Sequence, residues 1–167
     1  LVSQPASVDA FVDAAAAAGA VVLKPAAKSL WGYGGAVQAP DGTVWTLASS
    51  SKRGSGPASR EIDDLVLQLG VDDVAASKQF YVERGFEVGS SFGRRYADFA
   101  LPGSPVTLAL LKRKALAKSA GVDATGSGSH RLVVRSDRGG FTDPDGFIWE
   151  GTPQDLDSPG AARCHAD

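Results

Sequence analysis

The chain has 167 residues, with 17 Lys and Arg against 19 Asp and Glu and a net charge of −2. That length fits one domain and is enough to bury a core without disulfide or metal staples. The charge balance excludes a bulk nucleic-acid binder. No apolar run approaches the roughly 18 residues that a membrane span needs, and a lone cysteine, Cys164, excludes a disulfide-stapled fold. Methionine is absent. The expectation is a chain that lacks part of its N-terminus or some of its residues.

Ser7 reads as the N-cap of a helix, with Asp9 placed to favour the helix dipole. Val8, Phe11, Val12 and Ala15 follow at helical spacing, and Gly19 closes the helix. Residues 20–23 read as a short buried strand stopped by Pro25. LWGYGG at 30–35 reads as a loop carrying Trp31 and Tyr33. Strands at 36–38 and 43–48 flank a Pro40-Asp41-Gly42 turn. SSSKRGSGPAS at 49–59 has the composition of a linker.

Residues 61–71 then read as a strand, and Asp72 or Asp73 caps a helix over 74–84 that Gly85 ends. Residues 86–90, 95–100 and 106–111 alternate as a three-strand meander. Residues 112–120 read as a basic helix, 122–129 as a Gly/Ser loop and 130–135 as a strand. A second turn at 143–146 leads into a strand over 147–151, and the chain ends in a tail holding Cys164 and His165.

The pattern repeats. QAPDGTVWT at 38–46 matches TDPDGFIWE at 142–150, and helix followed by three strands occurs twice. With VDDVAASKQFYVERGF at 71–86, VDAFVDAAAAAGAVVLKPA at 8–26, WGYGGAVQAPDG at 31–42 and SHRLVV at 129–134, this ordered set resembles the vicinal oxygen chelate superfamily. That group holds glyoxalases, bleomycin-resistance proteins and extradiol dioxygenases. The resemblance implies an α+β fold in which paired βαβββ units form a curled mixed sheet around a cleft. It divides the chain into a second-half unit at 1–50, a linker at 51–60, a first-half unit at 61–112, a partial second-half unit at 113–151 and a tail at 152–167.

The resemblance also implies a divalent metal held by His or Gln, Glu, His and Glu on four strands. The first position falls on Val66, with Gln68 two residues on and so on the same strand face. The fourth strand of the middle unit has no Asp, Glu or His, and the strand after the first turn ends at Thr46. His130 and Glu150 match the other two positions and form half a metal site. Read without the resemblance, His130 is a hydrogen-bonded strand residue and Glu150 a surface acid. Three protein ligands are usual for a catalytic metal.

The expected ligand contacts are Trp31 and Tyr33, Gln68, Arg94 and Tyr96. Aromatic walls suit a flat organic molecule, and a guanidinium suits a carboxylate or phosphate. Arg94 also reads as an exposed turn residue, and Trp45 and Trp149 as core. The leading expectation is a cytoplasmic small-molecule-binding protein of the glyoxalase/bleomycin-resistance kind, without a full metal site or other cofactor. The alternatives are a metal-dependent lyase or dioxygenase whose site a partner chain or missing residues complete, and a pseudo-enzyme acting through dimer contacts. The expected partners are a small organic ligand and a second copy of the chain, with no nucleic acid and no membrane.

Overall fold

The computed structural model describes residues 1–30, 32–54, 56–125 and 132–152. The fold is α+β, with three helices and three small sheets among the described residues. No helix there is long and apolar enough to cross a membrane.

The first unit is α1 (Pro5–Ala17) followed by β1 (Val21–Ser29), β2 (Gly32–Gln38) and β3 (Val44–Ser49), an antiparallel sheet in the order β1-β2-β3. Val8 and Val12 of α1 pack on Val37 and Val2. Three expectations change here. Helix α1 begins at Pro5, where a proline is tolerated because the first helical N–H has no partner to lose. Ser7 is therefore inside the first turn, and its buried Oγ accepts the N–H of Ser59, 3.0 Å away. Pro25 does not stop β1, because the register slips between Lys24 and Ala27 and the missing N–H falls at that irregularity. The expected loop at 30–35 is mostly strand, since β2 starts at Gly32.

The second unit has a leading strand. β4 (Leu65–Val71), α2 (Val74–Val82), β5 (Glu87–Phe92), β6 (Tyr96–Ala100) and β7 (Val106–Lys112) form a sheet in the order β4-β7-β6-β5. β4 runs parallel to β7 and the other pairs are antiparallel. β4 starts four residues later than the sequence suggests. Leu69 and Val71 of β4 pack with Phe99, Leu108 and Leu110 under Tyr81 of α2. Asp73 caps α2, accepting the N–H groups of Ala75 at 2.9 Å and Ala76 at 3.3 Å.

Helix α3 (Arg113–Ala120) leaves β7 directly and packs on β4 and β7 on one side and on β2 and β3 on the other. It thus ties the two sheets together. The last sheet consists of β8 (Val133–Ser136), β9 (Phe141–Thr142) and β10 (Ile148–Gly151), ordered β8-β10-β9, with β8 parallel to β10.

The two Pro-Asp-Gly turns are built alike. Gly42 N–H bonds Ala39 O at 2.8 Å and Gly146 N–H bonds Asp143 O at 3.0 Å, with φ of 88° and 89° at the two glycines. Their tryptophans part company. Trp149 is 4% exposed, because β10 is a central strand and its ring stacks on Phe141 and meets Tyr81 and Phe86 edge-on. Trp45 is 47% exposed, contrary to its expected core position, because β3 is an edge strand with little packed beyond it.

Tyr81 joins the last sheet to α2. Its hydroxyl donates to Asp143 Oδ2 at 2.7 Å and accepts from Trp149 Nε1 at 3.1 Å, all inside the core. Burial, and then the Asp143 carboxylate, push its phenol pKa up. Tyr81→Phe keeps the ring and strands a buried carboxylate oxygen and an indole N–H. The expected cost is about 1–3 kcal/mol in urea unfolding, against little change for Tyr33→Phe on the surface.

Candidate ligand cleft

Strand alternation sends Leu67, Leu69 and Val71 toward α2 and leaves Val66, Gln68 and Gly70 on the opposite face of the sheet. Helix α3 lies against Gly70: a Cβ there would be in van der Waals contact, 3.4 Å from Arg113 Cα. Gln68 pairs with Ala109 of β7, whose other neighbour is Asp98 of β6. Gln68 and Asp98 thus share a face two strand spacings apart, about 10 Å.

Between the two larger sheets lies a cleft of about 1460 Å³. Its walls are mostly apolar: Val37, Trp45 and Leu47 from the first sheet, Leu65, Val66 and Leu67 from β4, and Leu116 from α3. Asp64, Gln68, Arg113, Asp123 and Asp145 supply polar groups. Arg113 is held at the rim by Asp72 at 3.3 Å and by Asp145 at 3.4 Å. Asp145 itself is tied down, since Asp72 N–H and the Ser77 hydroxyl donate to it at 2.8 and 2.9 Å.

Of the residues expected at a ligand, Gln68 lines this cleft. Tyr33 is in β2 and turns toward α1, its hydroxyl donating to Asp9 at 2.8 Å, which raises its pKa. Arg94 sits on the β5–β6 turn and pairs with Asp73 at 2.7 Å on the surface. Tyr96 is on the Gln68 face, where its hydroxyl donates to Asp98 Oδ2 at 2.9 Å. Asp98 also accepts Ser90 N–H at 2.7 Å, so its carboxylate is held from two sides. Trp31 and His130 lie outside the described residues, as do Cys164 and His165.

Glu150 is on β10, exposed, with Arg135 of β8 at 3.3 Å, and does not line the cleft. Among the described residues no three His, Cys, Asp or Glu side chains come together as a metal-binding group.

Sequence reading passed over Asp98, Asp64 and Arg113 as site residues and placed Trp45 in the core. Asp98 had one local signal, as an acid in an otherwise apolar alternation (YADFA). Arg113 and Asp145 had none, because 32 residues separate them and α3 brings them together.

Two titrations test this geometry. Burial, then the hydrogen bond to Asp98 and the charges of Asp98 and Asp64, push the Tyr96 phenol up to about 12. A raised pKa means that the fold favours the neutral phenol. That stability is full below the unfolded value of about 10 and is lost as pH rises from there to about 12. Ultraviolet titration should show Tyr96 ionising after Tyr33, and Asp98→Asn should bring it part of the way down.

Arg94, then the Ala76 and Ala75 amides, hold the Asp73 carboxyl below the usual carboxylate range. Its contribution is present above about pH 4 and is lost as pH falls through its folded pKa. In an NMR titration, Arg94→Ala should raise the Asp73 pKa and leave the capping bonds in place.

No family model and no curated protein matches the sequence. Solved structures do resemble it. A glyoxalase-related enzyme from Fulvimarina pelagi is 23% identical, with a TM-score of 0.40 over 56% of this chain and 87% of the other. A glyoxalase/bleomycin resistance protein/dioxygenase from Nocardioides is 23% identical, with a TM-score of 0.43 over 56% and 84%. Lactoylglutathione lyase from Agrobacterium tumefaciens is 15% identical, with a TM-score of 0.41 over 60% and 98%.

Proposed function

We propose that the chain binds a small organic molecule in the cleft between its two larger sheets, in the manner of glyoxalase/bleomycin-resistance-type binding proteins. The cleft carries this reading: its walls are chiefly apolar, Trp45 is exposed on it, and a few polar groups converge there. Such a surface takes a flat or apolar ligand and orients it by hydrogen bonds from Gln68 and charge from Arg113. Binding of this kind requires no activated water and no acid–base pair. Two positions where the resemblance places metal ligands hold Val66 and Thr46, and both line the cleft without an imidazole or carboxylate. A homodimer would bring further side chains to the cleft mouth, and the protein's work would be sequestration.

The test is a fluorescence screen of aromatic and polycyclic small molecules together with elemental analysis of the purified protein. A binder should shift the emission saturably. Trp45→Phe should remove most of that shift, leaving Trp31 and the buried Trp149 as the remaining fluorophores. Gln68→Ala should weaken binding by about three- to tenfold, the worth of one hydrogen bond. A stoichiometric divalent metal that is lost on His130→Ala would overturn the binding-only reading and favour a metal-dependent lyase or dioxygenase.

A further inference from the structure

A β-bulge in β5 is built around one side chain of β6. Val88 pairs with Phe99 and Ser91 with Ala97, so Gly89 and Ser90 together stand opposite Asp98. The bulge turns Ser90 N–H onto Asp98 Oδ1 at 2.7 Å, while the Tyr96 hydroxyl donates to Oδ2 at 2.9 Å. Gly89 leaves room for this arrangement, because a Cβ there would lie 2.5 Å from Asp98 Oδ1. The backbone at Gly89 is not left-handed, so it is the position of the carboxylate that disfavours a side chain.

A carboxylate can accept about four hydrogen bonds, and these two donors leave acceptor capacity on both oxygens. Asp98 pairs with Ala109, the neighbour of Gln68, and so stands on the face of the sheet away from α2. Among the described residues no strand position on that face holds Lys or Arg. Lys78 bonds Ser91 and Arg94 bonds Asp73, both at α2. Asp64, whose carboxylate accepts from the Thr107 hydroxyl at 3.2 Å, adds a second negative charge that reaches the Tyr96 phenol.

Two aromatic rings adjoin this carboxylate. Phe92 pairs with Tyr96 across the hairpin, with ring centroids 5.9 Å apart and planes tilted by 42°. Phe92 is 67% exposed, so its ring is open to a ligand. Ring faces attract cations through their quadrupole, and a carboxylate attracts the same cations through charge and hydrogen bonds.

We infer that Phe92, Tyr96 and Asp98 form a binding site for an organic ammonium group. The ammonium N–H groups donate to Asp98, and the carbons next to the nitrogen lie against the two rings. None of the three side chains lines the cleft between the larger sheets, so the inference does not rest on the ligand reading.

The probe is n-butylammonium chloride, followed through the amide and aromatic NMR signals of the full chain at constant ionic strength. Saturable shifts of the Ser90 amide and of the Phe92 and Tyr96 rings are expected at about millimolar probe. n-Butanol and sodium chloride at the same concentrations should leave those signals in place. Asp98→Asn should weaken binding at least about tenfold, and Phe92→Ala about two- to fivefold. Gly89→Ala keeps the charge, displaces the carboxylate and should weaken binding as well. Phe92 is exposed, so Phe92→Ala tests the site even where Asp98→Asn impairs folding. Lysine capped at both backbone ends carries the same group and should also bind; the tighter of the two probes identifies a free amine or a protein side chain as the source. Equal shifts with butanol or sodium would overturn the inference, as would unchanged affinity in Asp98→Asn or in Phe92→Ala.

Discussion

One buried hydroxyl organises the larger half of this molecule. Tyr81 lies at the end of α2 and points its Oη at a carboxylate and an indole from a sheet more than 60 residues away in sequence. A carboxylate as buried as Asp143 is tolerated only where donors surround it. Tyr81 supplies one, and the N–H groups of Asp145 and Phe147 supply two more at 3.0 and 2.8 Å. The second Pro-Asp-Gly turn is therefore part of the core. Around it Phe80, Phe86, Phe99, Phe141 and Trp149 pack mostly edge to face, with Phe141 and Trp149 stacked, arrangements that suit their quadrupoles better than a uniform sandwich.

The first unit has no such node. Its helix rests on Val37 and Val2 through Val8 and Val12, and its own Pro-Asp-Gly turn makes a local bond from Thr43 N–H to Asp41 at 2.9 Å. The same motif thus serves two purposes. In the last sheet Asp145 crosses to α2 and Arg113, whereas in the first Asp41 folds back on its own turn. The contrast explains why one tryptophan is core and its repeat mate stands exposed at the cleft.

The cleft follows from the same asymmetry. A closing strand with a parallel neighbour has both backbone edges paired, as β7 and β10 do. Among the described residues the outer edge of β3 is bonded by Val2 at one end alone, so Trp45 and Val44 stay open to the space in front of β4. Helix α3 bounds that space and fixes its width by packing on both sheets. The open cleft wall is the consequence of one unshielded edge.

Much of the architecture was legible in the chain. The repeated Pro-Asp-Gly segments, the helix carrying Phe80 and Tyr81, and the meander after it are local patterns, and local backbone preferences suffice to form them. The failures were local too where a compensating contact existed: Pro25 survives in a strand because the register slips there, and Ser7 sits within a helix because Ser59 needs its oxygen. The candidate site was legible only at Gln68, whose face follows from strand parity. The sequence alone determined which units are present and which ligand positions lack an imidazole or carboxylate. Only the tertiary structure decided which strand edges are covered, because pairing and burial depend on groups that meet across tens of residues and leave no trace in periodicity.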